Sequence, residues 1–318
     1  MKLIKSGEPQ LRPERLKPGQ RVALISPSSH MGDAAEEQLG EAVEILKSWE
    51  LEIEPLPEIE PRHLYFAGND QERLAQFQSA YLNPEIKALF FTRGGYGATR
   101  ILPMLDQALM KGATPKPIVG FSDATAVFCW MGAMTGVAGL HGPCLAAPSL
   151  LRSETREEDL AALHQALFDE KYRPEFDLKS LNQRVPQSAE VEGVLIGGCL
   201  AVLVTTLGTP WEIDTTDKVL FLEDIGEAPY RVDRMLAHMR GAGKLDSVKA
   251  VVFGHMSHCD SDPEGLLLDV LLDFFANDSF PIAIGMKAGH GSPNNAIWLG
   301  QNVNVTMDGE GAGKLRFL

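Results

Sequence analysis

Strand-length apolar runs alternate with helix-length amphipathic stretches through the first half of the chain. That alternation limits the fold more than any other feature of the sequence. Arg21-Val-Ala-Leu-Ile-Ser26 reads as a strand ending in a Ser/Pro loop. Residues 34–50 carry Leu39, Val43 and Leu46 at helical spacing; 51–56 suit a second strand and 70–82 a second helix. Ile86-Lys-Ala-Leu-Phe-Phe-Thr92 predicts a third strand, followed by the glycine loop Arg93-Gly-Gly-Tyr-Gly97 and a helix through Leu105. Repeated βα units of this length imply a parallel sheet covered by helices on both faces.

The character changes after Ser149. Residues 150–167 form a charged amphipathic pattern, and 169–186 are polar with no periodicity, as in a linker. The expected organisation is an α/β domain over 1–150, a linker over 151–186 and a smaller β-rich α+β domain over 187–318. Short strands are expected at 191–197, 219–222, 248–253, 282–284 and 303–307, with helices at 200–207, 230–241 and 264–275. No internal repeat is visible.

Charge excludes several functions. The chain has 318 residues and a net charge of −14, with no Lys/Arg cluster. Such a surface repels phosphate backbones, so nucleic acids and anionic membranes are poor partners. The segment 1–20 has no apolar core of signal-peptide type, and the most apolar stretch, 194–207, is broken by Gly197-Gly198 and Thr205-Thr206. Cys129, Cys144, Cys199 and Cys259 are scattered without a C-x-x-C pair, which reads as reduced thiols in a cytoplasmic protein.

The strongest chemical signal lies in Pro117-Ile-Val-Gly-Phe-Ser-Asp-Ala-Thr125. A buried strand, a sharp turn at Gly120 and a following helix make the geometry of a nucleophile elbow, with Ser122 at its tip. The next backbone N–H, that of Asp123, can then face a developing oxyanion. The usual G-x-S-x-G is met only in part, since Ala124 takes the fifth position. A serine hydroxyl needs a base, and the base needs an orienting acid. Glu223 follows the 219–222 strand, with Asp224 and Glu227 as rivals for the acid. His290 lies in Lys287-Ala-Gly-His-Gly-Ser-Pro-Asn294, between two glycines, with His141 as a rival base. The order Ser…Glu…His is that of α/β hydrolases. Two other motifs point elsewhere. The glycine loop lacks the G-x-x-x-x-G-K-[ST] pattern of a phosphate loop. His255, His258, Cys259 and Asp260 sit close together in 254–262, but without H-E-x-x-H or a second ligand cluster.

Thr92-Arg-Gly-Gly-Tyr-Gly97, Gly120-Phe-Ser-Asp123, His141-Gly-Pro143, Leu222-Glu-Asp224 with Pro229-Tyr-Arg231, and Gly289-His-Gly291 occur in one order. Together they resemble the LD-carboxypeptidase family of cytoplasmic serine peptidases, over about residues 21–305. The resemblance implies a flavodoxin-like parallel-sheet N-terminal domain and a distinct β-rich C-terminal domain. It implies Ser122 as nucleophile, Glu223 as orienting acid and His290 as base. The backbone N–H of Gly95 would join that of Asp123 in the oxyanion hole. It further implies a homodimer that needs no metal or other cofactor, and a murein peptide as substrate. Arg93, Arg231 and Lys287 are candidates to receive the substrate's terminal carboxylate. The reaction expected is release of terminal D-alanine from the murein tetrapeptide during cell-wall recycling. Two alternatives stand beside it: a related self-immunity peptidase acting on a peptidyl- or aminoacyl-nucleotide antibiotic, and a non-catalytic small-ligand binding protein.

Overall fold

The computed structural model describes residues 8–54, 62–181, 189–260, 265–308 and 310–318. Parts of several expected segments lie outside them: residues 1–7 of the N-terminal segment, 55–56 of the second strand, 182–186 of the linker, 187–188 of the C-terminal domain, 261–262 of the His/Cys segment and 264 of the helix expected at 264–275. The described strands are β1 (Arg21–Ile25), β2 (Glu52–Ile53), β3 (Ile86–Phe91), β4 (Ile118–Gly120) and β5 (Leu140–His141). They continue as β6 (Glu175–Ser180), β7 (Ala189–Cys199), β8 (Lys218–Ile225), β9 (Ala250–Ser257) and β10 (Ile282–Ile284). The last three are β11 (Ile297–Trp298), β12 (Gln301–Met307) and β13 (Ala312–Phe317).

The chain divides into two compact units, one over 11–172 with 295–298, the other over 8–10, 173–294 and 299–318. In the first, six described strands form a sheet of order β11-β5-β4-β3-β1-β2. The pairs β2–β1, β1–β3, β3–β4 and β4–β5 are parallel, while β11 joins β5 antiparallel. The 2-1-3-4-5 order is flavodoxin-like and places its switch point between β1 and β3. All of β4, and every residue of β3 except Lys87, is buried, as a parallel sheet covered on both faces requires. Val22, Leu46, Phe90, Val119, Leu140 and Leu163 share one core cluster. Trp298 joins it and donates from Nε1 to the Ala166 carbonyl (3.0 Å), which ties 295–298 to this unit.

The second unit is a closed barrel of order β10-β6-β13-β12-β7-β8-β9 among the described residues. The β7–β8, β8–β9 and β9–β10 pairs are parallel, whereas the β7–β12, β12–β13, β13–β6 and β6–β10 pairs are antiparallel. The stretch expected to be a linker is structured differently: helix Arg156–Phe168 belongs to the sheet unit and β6 to the barrel. In β6, Phe176 and Leu178 point inward between exposed Glu175, Asp177 and Lys179. That two-residue period is too short to stand out in a polar segment. The helix expected through Leu105 also differs. It stops at Ile101 and tightens into a 3₁₀ turn over Leu102–Met104, because Pro103 cannot continue an α-helical ladder.

Candidate active site

Three loops leave the carboxyl ends of β1, β3 and β4, where ligands gather in such sheets. Ser122 lies two residues past β4 with φ of +61°. A left-handed backbone at a non-glycine residue is uncommon and costs about 1–2 kcal/mol. It persists where the surroundings hold it in place, often at active sites. Here the surroundings are tight. A Cβ on Gly94 would lie 2.8 Å from the Ser122 Cβ, so the β3 loop approaches the serine as closely as only glycine permits. Gly95 has φ of +106°, and a Cβ there would collide with the Ser29 hydroxyl. The Ser29 Oγ accepts from the N–H of Tyr96 (3.0 Å) and so fixes this loop.

The helix after the elbow runs Ala124–Met134, and its first turn bond is Ala124 N–H to the Phe121 carbonyl. The N–H groups of Asp123 and Gly95 meet no acceptor among the described residues. The Asp123 side chain is committed elsewhere. Its Oδ2 accepts from the Ser28 hydroxyl (2.7 Å) and the Ala98 N–H (2.8 Å), joining the β1 loop, the β3 loop and the elbow. Burial pushes this carboxyl up to about 6, against the opposing pull of those two donors and of Arg73.

Arg73 is fully buried below the same loops. It donates to the Gly97 carbonyl (2.8 Å), the Gly68 carbonyl (3.3 Å) and the Pro27 carbonyl, and pairs with Asp70. Neither Ser28 nor Arg73 was singled out from sequence. The available signal was spacing: Arg73, Phe77 and Tyr81 fall on one buried helical stripe.

In the barrel unit, Glu223 and His290 are brought together. The Glu223 Oε2 accepts from His290 Nδ1 (2.7 Å) and from the His290 backbone N–H (3.0 Å). A carboxylate can only accept, so the imidazole proton sits on Nδ1 and Nε2 carries the lone pair. Glu223 is fully buried, and its Oε1 meets no hydrogen-bond donor among the described residues. Gly289, with φ of +108°, makes room: a Cβ there would stand 2.5 Å from Glu223 Oε2. Asp224 faces other groups. It accepts from the N–H of Ala201 (2.8 Å), at the start of helix Leu200–Thr206, and of Ile225 (2.8 Å). Burial raises its pKa, partly offset by those N–H groups. Glu227, just ahead of helix Pro229–Gly241, pairs with Arg231 at 3.3 Å.

The Arg93 guanidinium is half-buried and donates to the His30 carbonyl (2.9 Å), in the β1 loop. Arg231 is exposed at the start of helix Pro229–Gly241, and Lys287 is exposed too. His141 is buried at the end of β5, edge-on to Phe121 at 6.0 Å. His255 Nε2 meets the Pro293 carbonyl at 2.9 Å, and Asp260 accepts from the N–H groups of Gly265 and Leu267. Burial pushes the thiols of Cys144 and Cys259 up to about 12 and about 11. A thiol held so high supplies little nucleophilic thiolate.

Models of the LD-carboxypeptidase N-terminal and C-terminal domains match residues 22–142 and 192–305. The chain belongs to the LD-carboxypeptidase family. A probable murein peptide carboxypeptidase of Bacillus subtilis is 33% identical over 91% of this chain and 89% of its own length. The murein tetrapeptide carboxypeptidase of Pseudomonas aeruginosa is 30% identical, covering 87% of this chain and 90% of its own. Among solved structures, the muramoyltetrapeptide carboxypeptidase from Oxalobacter formigenes superposes with a TM-score of 0.78. It is 29% identical, over 94% of this chain and 98% of that one. An MccFlike protein from Bacillus anthracis has a TM-score of 0.83 at 21% identity, over 97% and 99% of the two chains; it shares the fold. The LD-carboxypeptidase is thus a serine-type peptidase with a parallel-sheet unit and a barrel. No helix among the described residues is long and apolar enough to cross a membrane.

Proposed function

We propose that this LD-carboxypeptidase releases the terminal D-alanine of murein tetrapeptides, with Ser122 as nucleophile, His290 as base and Glu223 as its orienting acid. The observation that carries the reading is the double hold of Glu223 on His290, which fixes the tautomer that general-base catalysis by Nε2 needs. The names of the Pseudomonas and Oxalobacter relatives supply the substrate class.

In this mechanism Ser122 Oγ attacks the carbonyl carbon of the L-residue and passes its proton to His290 Nε2. The N–H groups of Gly95 and Asp123 receive the oxyanion. The C–N bond then breaks as His290 protonates the leaving D-alanine amine, and water hydrolyses the ester with His290 again as base. Arg93 beside the glycine loop, or Arg231, would take the terminal carboxylate. Cytoplasmic turnover of recycled murein and a homodimeric state complete the proposal.

The test is release of D-alanine from the L-X–D-Ala tetrapeptide by the purified protein. A pocket that ends in a cation for the terminal carboxylate should reject the D-Ala–D-Ala pentapeptide and the tetrapeptide amide by about 10² to 10⁴ in kcat/KM. Comparable rates on the pentapeptide would overturn the specificity. Turnover of an aminoacyl-sulfamoyl adenylate in place of the tetrapeptide would establish the self-immunity reading, and turnover of neither a binding role.

A further inference from the structure

The sheet unit has a concavity of about 370 Å³ at the opposite end of its strands from the Ser122 elbow. It is lined where the strands begin: Gln20 precedes β1, Ile86 opens β3, and Lys116 stands two residues before β4. Ser122, in contrast, follows the last residue of β4. The volume falls in the range of small-molecule sites.

Its lining is basic in a protein of net charge −14. Arg12, Arg15, Lys87 and Lys116 border it against one acid, Glu14. The Arg12 and Arg15 guanidinium groups lie over the Trp298 ring at 5.2 and 5.7 Å, which holds both heads in place. Two of the Arg12 nitrogens, Nε and Nη2, are buried and meet no acceptor among the described residues. Lys116 is buried, and its ammonium has a neutral partner, the Asn83 carbonyl (2.7 Å). Lys87 likewise donates to the Pro84 carbonyl (2.5 Å). Arg12, Lys87 and Lys116 make no ion pair with a carboxylate among the described residues. Burial, and then the charge of Lys87, push the Lys116 ammonium down to about 8.

Arg15 is engaged, its Nε donating to the Asp169 carbonyl (3.2 Å). Arg12, Lys87 and Lys116, with no carboxylate partner among the described residues, favour a multiply charged anion over water, and a guanidinium fork suits carboxylate and phosphate oxygens. We infer that this cavity is a binding site for a small polyanion, a phosphate ester or a polycarboxylate, separate from the peptidase site.

The experiment is calorimetric titration of the full chain with pyrophosphate and with citrate, and with acetate as a monoanion control. Saturable one-to-one binding of pyrophosphate or citrate is expected, and whichever binds tighter identifies the ligand class. Lys87→Gln, an exposed change, and Arg12→Gln should each weaken that binding by about tenfold or more, the scale of one charge-assisted contact. Tetrapeptide cleavage should stay unchanged, since neither residue belongs to the proposed catalytic machinery. If Arg12→Gln fails to fold, Lys87→Gln decides. No saturable binding of either polyanion, or equal binding by wild type and Lys87→Gln, would overturn the inference.

Discussion

Glu223 holds His290 twice through a single oxygen, with Oε2 at 2.7 Å from Nδ1 and 3.0 Å from the backbone N–H. Backbone and ring are therefore fixed together, and the ring cannot turn without breaking the same contact. Glu223→Gln preserves an oxygen for both donors and removes the negative charge. The imidazolium formed during catalysis loses its stabiliser, and kcat should fall by about 10² to 10⁴. Steady-state D-alanine release measures this. A loss below fivefold would take Glu223 out of the mechanism.

Asp224→Asn should separate from Glu223→Gln in kind. Asp224 holds the start of helix Leu200–Thr206 through the Ala201 N–H, so its replacement should act on stability, by about 0.5–2 kcal/mol, the usual scale of a cap. Denaturant unfolding of both variants checks the difference. A kcat loss for Asp224→Asn exceeding that of Glu223→Gln would reverse the assignment.

Gly289→Ala tests the fit around the pair. The added Cβ would stand 2.5 Å from Glu223 Oε2 at a backbone φ of +108°, so either the loop or the carboxylate must move. We expect a kcat loss of at least about tenfold, because a displacement near 1 Å costs up to about 10² in rate. Circular dichroism should remain native.

Asp123 makes stability depend on pH in a definite direction. Its folded pKa is raised to about 6 from an ordinary 3.8, so the folded state binds the proton more tightly than the unfolded chain. That contribution is fully present below about 3.8 and is lost as pH rises through 6. Asp123→Asn cannot titrate, and asparagine keeps an oxygen for Ser28 and Ala98. The Tm of Asp123→Asn relative to wild type should therefore climb between pH 4 and 6 and level off above. A constant difference across that window would show that Asp123 titrates normally.

Much of the sheet unit was legible because its strands are local apolar runs. β1 and β3 lie within a residue of their expected ends, and the elbow at Ser122 follows β4 as the Gly120 break implies. The barrel was less legible. β6 and β13 are short alternating segments, and their pairing closes a ring between positions 139 residues apart, as in Glu175 with Lys314. No local period encodes such closure. β11 was missed for a related reason: Ile297-Trp298 is two residues long and joins a sheet whose other strands end at His141. In the site, polar strand ends pointed to Glu223 and His290, but the choice between Glu223, Asp224 and Glu227 rests on which face each presents. Alternation along β8 sends Glu223 to His290 and Asp224 to the helix start.

The central claim, that Ser122 and His290 act as one unit, is tested most directly by comparing Ser122→Ala, His290→Ala and the double variant in tetrapeptide cleavage. The alanine at 122 carries the same left-handed backbone strain as the serine, so fold and Tm should barely change. Each single change should lower kcat by about 10⁴ to 10⁶, and the double variant should be no slower than either, because groups that act as a unit are grossly non-additive. Multiplying losses, or a Ser122→Ala enzyme retaining more than about a tenth of the wild-type rate, would contradict the account.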